Sequence, residues 1–426
     1  MPAHSAAAIF TMETREDEID YKRSHGNQNL PESLLLFDHK SAKDVLSVQK
    51  WKQNAMNPCM NSTYRFVENV IDAMIALHKD IQPLSKFHMG GDEVAKGVWN
   101  GSQECQNNPD IPNTILNNTE QLQRVFMRRA SDIVAQKNLD LAVWEDGVYA
   151  DEKPNPITDY KSKNVFVYPC NNRWDTTFAR RPAEFADAGY KVILPLATHL
   201  YFDQPQEPDP ESRGLYWATR FTDTRKVFGL MPDDIFANLG PGRMGNPVTE
   251  ESICGSNTCP KPKKTENIIG LQACMWAEVM RTEGQFHEMA FPRVLALAER
   301  AWHRADWETM TSPSRETARD KEWEVFADVL GYAELPRLER KGIMYIVEPP
   351  GAKVESDGTL KANARYPGHV IEIMDDKSQK WKKFKERKLA NGQHTFNFRV
   401  RTPVDGRVSR TVELKANVST KVNSYA

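Results

Sequence analysis

No apolar run in this 426-residue chain approaches the roughly 18–20 residues that a helix needs to cross a bilayer. None of the six cysteines forms a CxxC pair, so a structural zinc site is not expected. Charge of one sign is also missing. Lys plus Arg is 56, Asp plus Glu is 58 and the formal net charge is -2, which leaves no electrostatic reason for a nucleic-acid partner or an anionic membrane. The segment from Ser5 to Phe10 is too short for a signal-peptide core, lacks a basic lead-in and runs into Glu13, Arg15, Glu16 and Asp17, so no targeting segment is expected. With 40% hydrophobic and 27% charged residues, wholesale disorder is excluded.

Aromatics and cysteines carry more information. Ten Trp suit either a very large core or an aromatic-lined pocket. Cys254 and Cys259 bracket a short Gly/Ser/Asn loop suited to a local disulfide, whereas Cys170 and Cys274 end apolar runs and read as buried thiols. Asn-x-Ser/Thr sequons at Asn61, Asn100, Asn117 and Asn417 lean, with the cysteines, toward an oxidising secretory setting.

Along the chain, apolar strands and helices alternate. A helix follows Ser62, its expected cap, with Val67, Val70, Ile71, Met74 and Ile75 at helical spacing. A second opens at Thr119-Glu120 with Leu122, Val125, Phe126, Ile133 and Val134 on its apolar face. Strands are expected near residues 87, 141, 165, 191 and 269, a short helix near Pro182, and a long helix from about Gln285 to Trp302. Such βα units predict a parallel sheet, and in a (β/α)8 barrel the working residues stand at the strands' C-terminal ends. Asp92-Glu93, Trp144, Trp174, Tyr201, Asp203, Trp276 and Glu278 all follow strand ends. Beyond residue 341 the β-prone runs 343–347, 370–374, 396–400 and 408–412, separated by Asp-Gly and Asn-Gly turns, predict a small antiparallel domain.

A sugar's apolar C–H faces pack on indoles while its hydroxyls need acceptors, so a sugar pocket mixes Trp with Asp and Glu. Glycoside cleavage adds an acid to protonate the leaving oxygen and a second group to stabilise an oxocarbenium-like centre. The octapeptide Lys86-Phe87-His88-Met89-Gly90-Gly91-Asp92-Glu93 resembles the signature of the β-N-acetylhexosaminidases of glycoside hydrolase family 20. Arg213 to Phe221, Asp223 to Phe228, Leu271 to Glu278, Phe291-Pro292-Arg293 and Ala301 to Arg304 are similar to the chitobiase-like branch, in the same order.

The resemblance implies substrate-assisted retaining catalysis, in which the substrate's 2-acetamido oxygen attacks the anomeric carbon. Glu93 would be the general acid and then the base, Asp92 would hold the acetamido N–H, and Tyr201 would aim the acetamido oxygen. Trp144, Trp174 and Trp276 would wall the terminal-sugar pocket, Asp203 and Glu278 would accept hydroxyls, Trp217 would stack the next sugar, and His4 would stand against the catalytic Glu. Trp51, Trp302 and Trp323 are assigned to packing. The substrate class is GlcNAc-containing oligosaccharides derived from chitin, with no metal or organic cofactor, and a secreted or lysosomal location for a full-length parent. GlcNAc against GalNAc preference and oligomeric state are not legible in the sequence.

The fold expected is an α/β chain: a (β/α)8 TIM barrel lacking its first strands (1–320), a linking helix (321–340) and a C-terminal immunoglobulin-like β-sandwich (341–426). Met1 to His4 resembles the end of the family's third barrel strand, which implies a chain truncated at its N-terminus. A disulfide between Cys59 and Cys105, on loops flanking the Asp92-Glu93 strand, is expected. Three other readings stay open: a glycan-binding protein without turnover, an inactive fragment, and a glycosidase using Glu278 as its own nucleophile.

Overall fold

The computed structural model describes residues 45–418, except 49, 51–54, 175, 257 and 376–378. His4 and Trp51 therefore lie outside the described residues. The chain divides into two compact units: residues up to Ala197 with Pro232–Gly242 and Asn246–Gln272, and Thr198–Met231 with Arg243–Gly245 and everything from Ala273 onward.

The first unit is built on a five-stranded sheet of β1 (Lys86–His88), β2 (Asp140–Trp144), β3 (Val165–Tyr168), β4 (Lys191–Leu194) and β5 (Ile268–Leu271). The strands lie side by side in chain order and every pair is parallel. These are the five strands expected from the sequence. Leu141, Val143, Val167, Val192 and Leu194 are wholly buried, which explains why the strands read as apolar runs rather than as alternation.

Helix α1 (Asn61–His78) precedes β1 and α2 (Thr119–Gln136) precedes β2. In α2, Leu122, Phe126, Met127, Ala130 and Val134 recur at three- and four-residue intervals and are all buried, and Asn118 caps the first turn by accepting the Gln121 N–H at 3.2 Å. The expected cap of α1 is corrected. Ser62 lies inside the first turn and is buried, while Met60 occupies the cap position with no side-chain bond. A short helix α3 (Arg181–Asp187), with Pro182 in its first turn, leads to β4.

Both expected disulfides form. Cys59–Cys105 joins the start of α1 to the excursion that follows β1, with its Cα atoms 5.0 Å apart, and Cys254–Cys259 closes a local loop. Around the first, Val98, Trp99, Ile111 and Leu122 make a small separate core. Cys170 and Cys274 remain thiols, half-buried and buried respectively.

In the second unit, the single helix expected from Gln285 to Trp302 is two: α4 (Glu283–Ala290) and α5 (Arg293–Trp302). Pro292 lacks the N–H that a continuous helix requires at that point and interrupts the ladder. The assignment of Trp302 to packing is also corrected, since this residue is 92% exposed, whereas Trp323 is buried. Helix α6 (Ser314–Val329) passes through a π-helical turn at Leu330–Glu334 into Leu335–Arg340.

The same unit contains a sandwich of antiparallel strands β6 (Gly351–Val354), β7 (Thr359–Asn363), β8 (Val370–Asp375), β9 (Gly392–Arg401) and β10 (Val412–Val418). Strand β9 alternates strictly, with Phe396, Phe398 and Val400 buried, and its phenylalanines join Leu360 and Ile373 in the core. The expected strand at 343–347 is not one, because Tyr345 is pulled fully inside by its hydroxyl, which donates to Glu339 at 2.8 Å. Val408 forms only an isolated bridge to Arg401, so the last strand starts at Val412.

Candidate active site

The candidate residues fall into two groups, one in each unit. In the first unit, β1 ends at His88 and the chain turns through Gly90 and Gly91, both at positive φ (75° and 96°), to reach Asp92 and Glu93. Gly91 must be glycine on two counts. Its φ is left-handed, and a Cβ there would overlap Met127 Cε and stand 3.0 Å from the Cα of Gly147. The turn is pinned from three sides. The Gly90 carbonyl accepts the Trp144 N–H at 3.0 Å, the Gly91 carbonyl accepts the Gln123 side-chain amide, and the Gly90 N–H donates to His88 Nδ1 at 3.0 Å. Burial lowers the His88 pKa to about 4, so the imidazole is neutral and free to accept there.

Asp92 is half-buried and Glu93 is exposed. Glu93 holds φ +55°, a left-handed conformation that costs an ordinary residue roughly 1–2 kcal/mol. Its N–H donates to Asp146 Oδ2 at 3.2 Å. Trp144, the last residue of β2, is buried, and its ring meets His88 at 5.1 Å and Tyr168 at 5.8 Å between centroids. Trp174 lies on the loop after β3 and is also buried.

Glu145 and Asp146 directly follow the apolar strand β2 and were not among the site residues expected from the sequence. They occupy the tight turn Glu145–Val148 behind the acid pair. Glu145 is wholly buried, and burial, against the opposing pull of Arg181, pushes its carboxyl up to about 7. The signal was on the page: a second adjacent acid pair directly after an apolar strand, the pattern that singled out Asp92-Glu93.

In the second unit, Tyr201 and Cys274 form a parallel bridge and the Phe202 N–H donates to the Cys274 carbonyl at 2.7 Å, which brings the chain near Tyr201 alongside the chain leading to Trp276. The Tyr201 ring lies 5.4 Å from Trp217 and 6.2 Å from Trp276. Trp217 donates its indole N–H to Asp203 Oδ2 at 3.3 Å. Asp203 is buried, its Oδ1 makes no hydrogen bond among the described residues, and burial raises its pKa to about 6, with Glu278's charge adding to the rise. Trp276 and Glu278 are exposed. Tyr201, Asp203, Trp217 and Trp276 thus form one cluster: three aromatic faces beside a carboxylate with an open acceptor, which is the donor–acceptor set a sugar ring requires.

That cluster is held by a residue whose role the sequence did not reveal. Arg293, with no exposed surface, donates five hydrogen bonds to four backbone carbonyls: Met289 from Nε at 3.0 Å and again from Nη2, Gln204 at 2.9 Å, Thr222 at 3.0 Å and Phe202 at 2.6 Å. Phe202 and Gln204 flank Asp203, so the guanidinium fixes the backbone on both sides of it.

Compared with known proteins, residues 1–305 match the glycosyl hydrolase family 20 catalytic domain, and residues 334–411 match the chitobiase/beta-hexosaminidase C-terminal domain. A beta-hexosaminidase of Vibrio vulnificus is 33% identical over 98% of this chain and 49% of its own length. An N,N'-diacetylchitobiase of Vibrio harveyi is 33% identical over 97% and 50%. The chain thus spans about half the length of these relatives. Among solved structures, a Vibrio harveyi exo beta-N-acetylglucosaminidase in complex with N-acetylglucosamine superposes with a TM-score of 0.48 at 23% identity, covering 73% of this chain and 40% of that one. The parallel sheet belongs to the (β/α)8 barrel of the first domain and the antiparallel sandwich to the second. The chain belongs to glycosyl hydrolase family 20.

Proposed function

We propose that this chain carries the catalytic residues of an exo-acting β-N-acetylhexosaminidase, which removes terminal non-reducing GlcNAc from chitobiose-like oligosaccharides or glycoconjugates by substrate-assisted retention. The observation that carries this reading is the carboxylate pair Asp92-Glu93 at a strand's C-terminal end, on a backbone turn fixed by Gly91, Gln123 and Asp146. Glu93 protonates the glycosidic oxygen as the substrate's acetamido oxygen bonds to the anomeric carbon, and the leaving alcohol departs. Asp92 accepts the acetamido N–H and stabilises the positive charge of the cyclic intermediate. Glu93, now a carboxylate, takes a proton from the water that opens the ring and restores the β configuration.

Tyr201 donates to the acetamido oxygen and aims it. Asp203, with its open Oδ1, and Glu278 accept sugar hydroxyls, Trp144, Trp174 and Trp276 meet the apolar sugar faces, and Trp217 stacks the next sugar. The two disulfides and the exposed sequon residues Asn61, Asn100, Asn117 and Asn417 support a glycosylated protein folded in an oxidising compartment. The barrel ending near residue 320 and the linking helix at 321–340 remain the proposed domain limits.

The test is release of 4-nitrophenol from its β-GlcNAc glycoside, with and without a thiazoline mimic of the cyclic intermediate. Glu93→Gln is expected to lower kcat by about 10²–10⁴-fold, the span typical of general acid–base catalysis. Equal turnover by Glu93→Gln, or indifference to the thiazoline, would remove the reading.

A further inference from the structure

The acid turn rests on an ionic relay, buried at Glu145 and Arg181 and half-buried at Asp146, that the proposed reaction does not use. Glu145 Oε1 accepts the Asn171 N–H at 2.7 Å, on the loop that carries Trp174 three residues later, and lies 3.8 Å from Cys170 Sγ. Its other oxygen is 3.4 Å from Arg181 Nη1, and the same nitrogen is 3.3 Å from Asp146 Oδ1. The second oxygen of Asp146 accepts the Glu93 N–H. The Arg181 guanidinium itself lies over two rings, 4.1 Å from the Tyr149 centroid and 4.0 Å from that of Phe178. A continuous path therefore runs from the Trp174 loop through Asn171, Glu145, Arg181 and Asp146 to the backbone of Glu93.

Two features ask for a reason beyond stability. Burying an ion pair rarely stabilises a fold more than apolar residues of the same size would, because desolvation offsets the attraction. Glu93, in turn, occupies a backbone conformation that its side chain disfavours and that neighbours must hold. Both are explained if the relay exists to place Glu93.

We propose that Glu145 and Arg181 are positioning residues: they lock Asp146, and through it the Glu93 backbone, to the Asn171–Trp174 loop, so that the acid and the pocket tryptophan move as one body. This inference rests on the reading of Glu93 as general acid and of Trp174 as a pocket wall. The charged and titratable groups facing Glu145 are Arg181 from α3, Cys170 from the loop after β3 and Asp146 from its own turn; Tyr149 adjoins them through Arg181.

The test pairs kinetics with amide hydrogen exchange in wild type, Glu145→Gln and Arg181→Lys. Glu145→Gln keeps an oxygen for the Asn171 N–H and removes the charge, so it is the milder variant. Expected are a fall in kcat of about 10–10²-fold with KM within about threefold, the scale of a small misplacement of a reacting group. Exchange at the Glu93 and Asn171 amides should rise by about tenfold or more, with α1 unchanged. The neutral limb of the kcat–pH profile should also shift in Glu145→Gln.

Wild-type kcat together with wild-type exchange at both amides overturns the proposal. So does a uniform rise in exchange across the unit, which would make the pair merely structural. Should wild type fail to hydrolyse the glycoside, the functional reading fails, and the exchange pattern still decides whether the relay couples the two segments.

Discussion

Two buried arginines organise the two groups of candidate residues, one in each unit, and they are held in opposite ways. Arg181 faces carboxylates, Glu145 and Asp146, and is flanked by aromatic rings. Arg293 faces backbone carbonyls alone among its hydrogen-bond partners. Half-buried Lys226 also donates to neutral oxygens, the Thr219 hydroxyl at 2.7 Å and the Phe221 carbonyl, and desolvation lowers its pKa to about 8. Carbonyls do not titrate, so the Arg293 hydrogen bonds to the backbone on both sides of Asp203 persist across the range in which Glu145 gains and loses a proton. The frame around Glu93 does not. A guanidinium satisfied by carbonyls is a permanent clamp, and one satisfied by buried acids is adjustable.

The largest expected effect separates the two clamps. Arg293→Met leaves four carbonyls in a dry interior, each costing about 1–3 kcal/mol when unpaired. At pH 5.5 it should yield insoluble protein or a melting temperature lower by roughly 10 °C or more. Arg181→Met at the same pH should lose less than half as much, because Glu145 is protonated there and needs no counter-charge. Melting curves in which Arg181→Met is the worse of the two would break the comparison.

A smaller effect sharpens it. The Glu145 carboxyl titrates near 7 in the folded chain against 4.5 when free, so between those values the folded state holds a proton that the unfolded state has lost. Stability should fall as pH rises through that window, by on the order of 3 kcal/mol in total. Glu145→Gln should flatten this slope, and Asp203→Asn should flatten a separate one between about 4 and 6. Denaturant titrations at pH 4.5, 6 and 7.5 measure both; an unchanged slope in Glu145→Gln would mean the acid is not titrating where its surroundings place it. The smallest effect belongs to Trp302. At 92% exposure, Trp302→Ser should shift stability by no more than about 0.5 kcal/mol, against several for the buried Trp323→Ala.

Much of this was legible in the sequence. All five parallel strands, the Cys254–Cys259 disulfide and the β-rich C-terminal region announce themselves by local pattern, because apolar runs, turn residues and nearby cysteines act over short range, whereas Cys59–Cys105 spans 46 residues and was expected from its place beside the Asp92-Glu93 strand. The pairs Asp92-Glu93 and Tyr201-Asp203 were singled out as candidates by their position after strand ends. The misses have a common cause. Arg293 acts on carbonyls about 70–90 residues away in sequence, and backbone acceptors leave no trace in side-chain identity. Arg181 drew no reading, since nothing in its sequence neighbourhood says that Glu145 will be buried against it. Trp302 was misread because helical spacing continues to the end of α5 although the burial does not.

The backbone-to-backbone contact of Gly91 with Gly147 bears on how mutational scans of such a site are read. An alanine at Gly91, its Cβ 3.0 Å from the Gly147 Cα, would push apart two turns that carry, between them, both candidate catalytic carboxylates and the whole Glu145–Asp146 pair. The variant would score as dead as one lacking Glu93 itself, although no reacting atom had been altered. A substitution map of this protein will therefore show a halo of apparent catalytic positions around the true ones. Only the side chains that can be restored by a near-isostere, or rescued by an added small acid, belong to the chemistry.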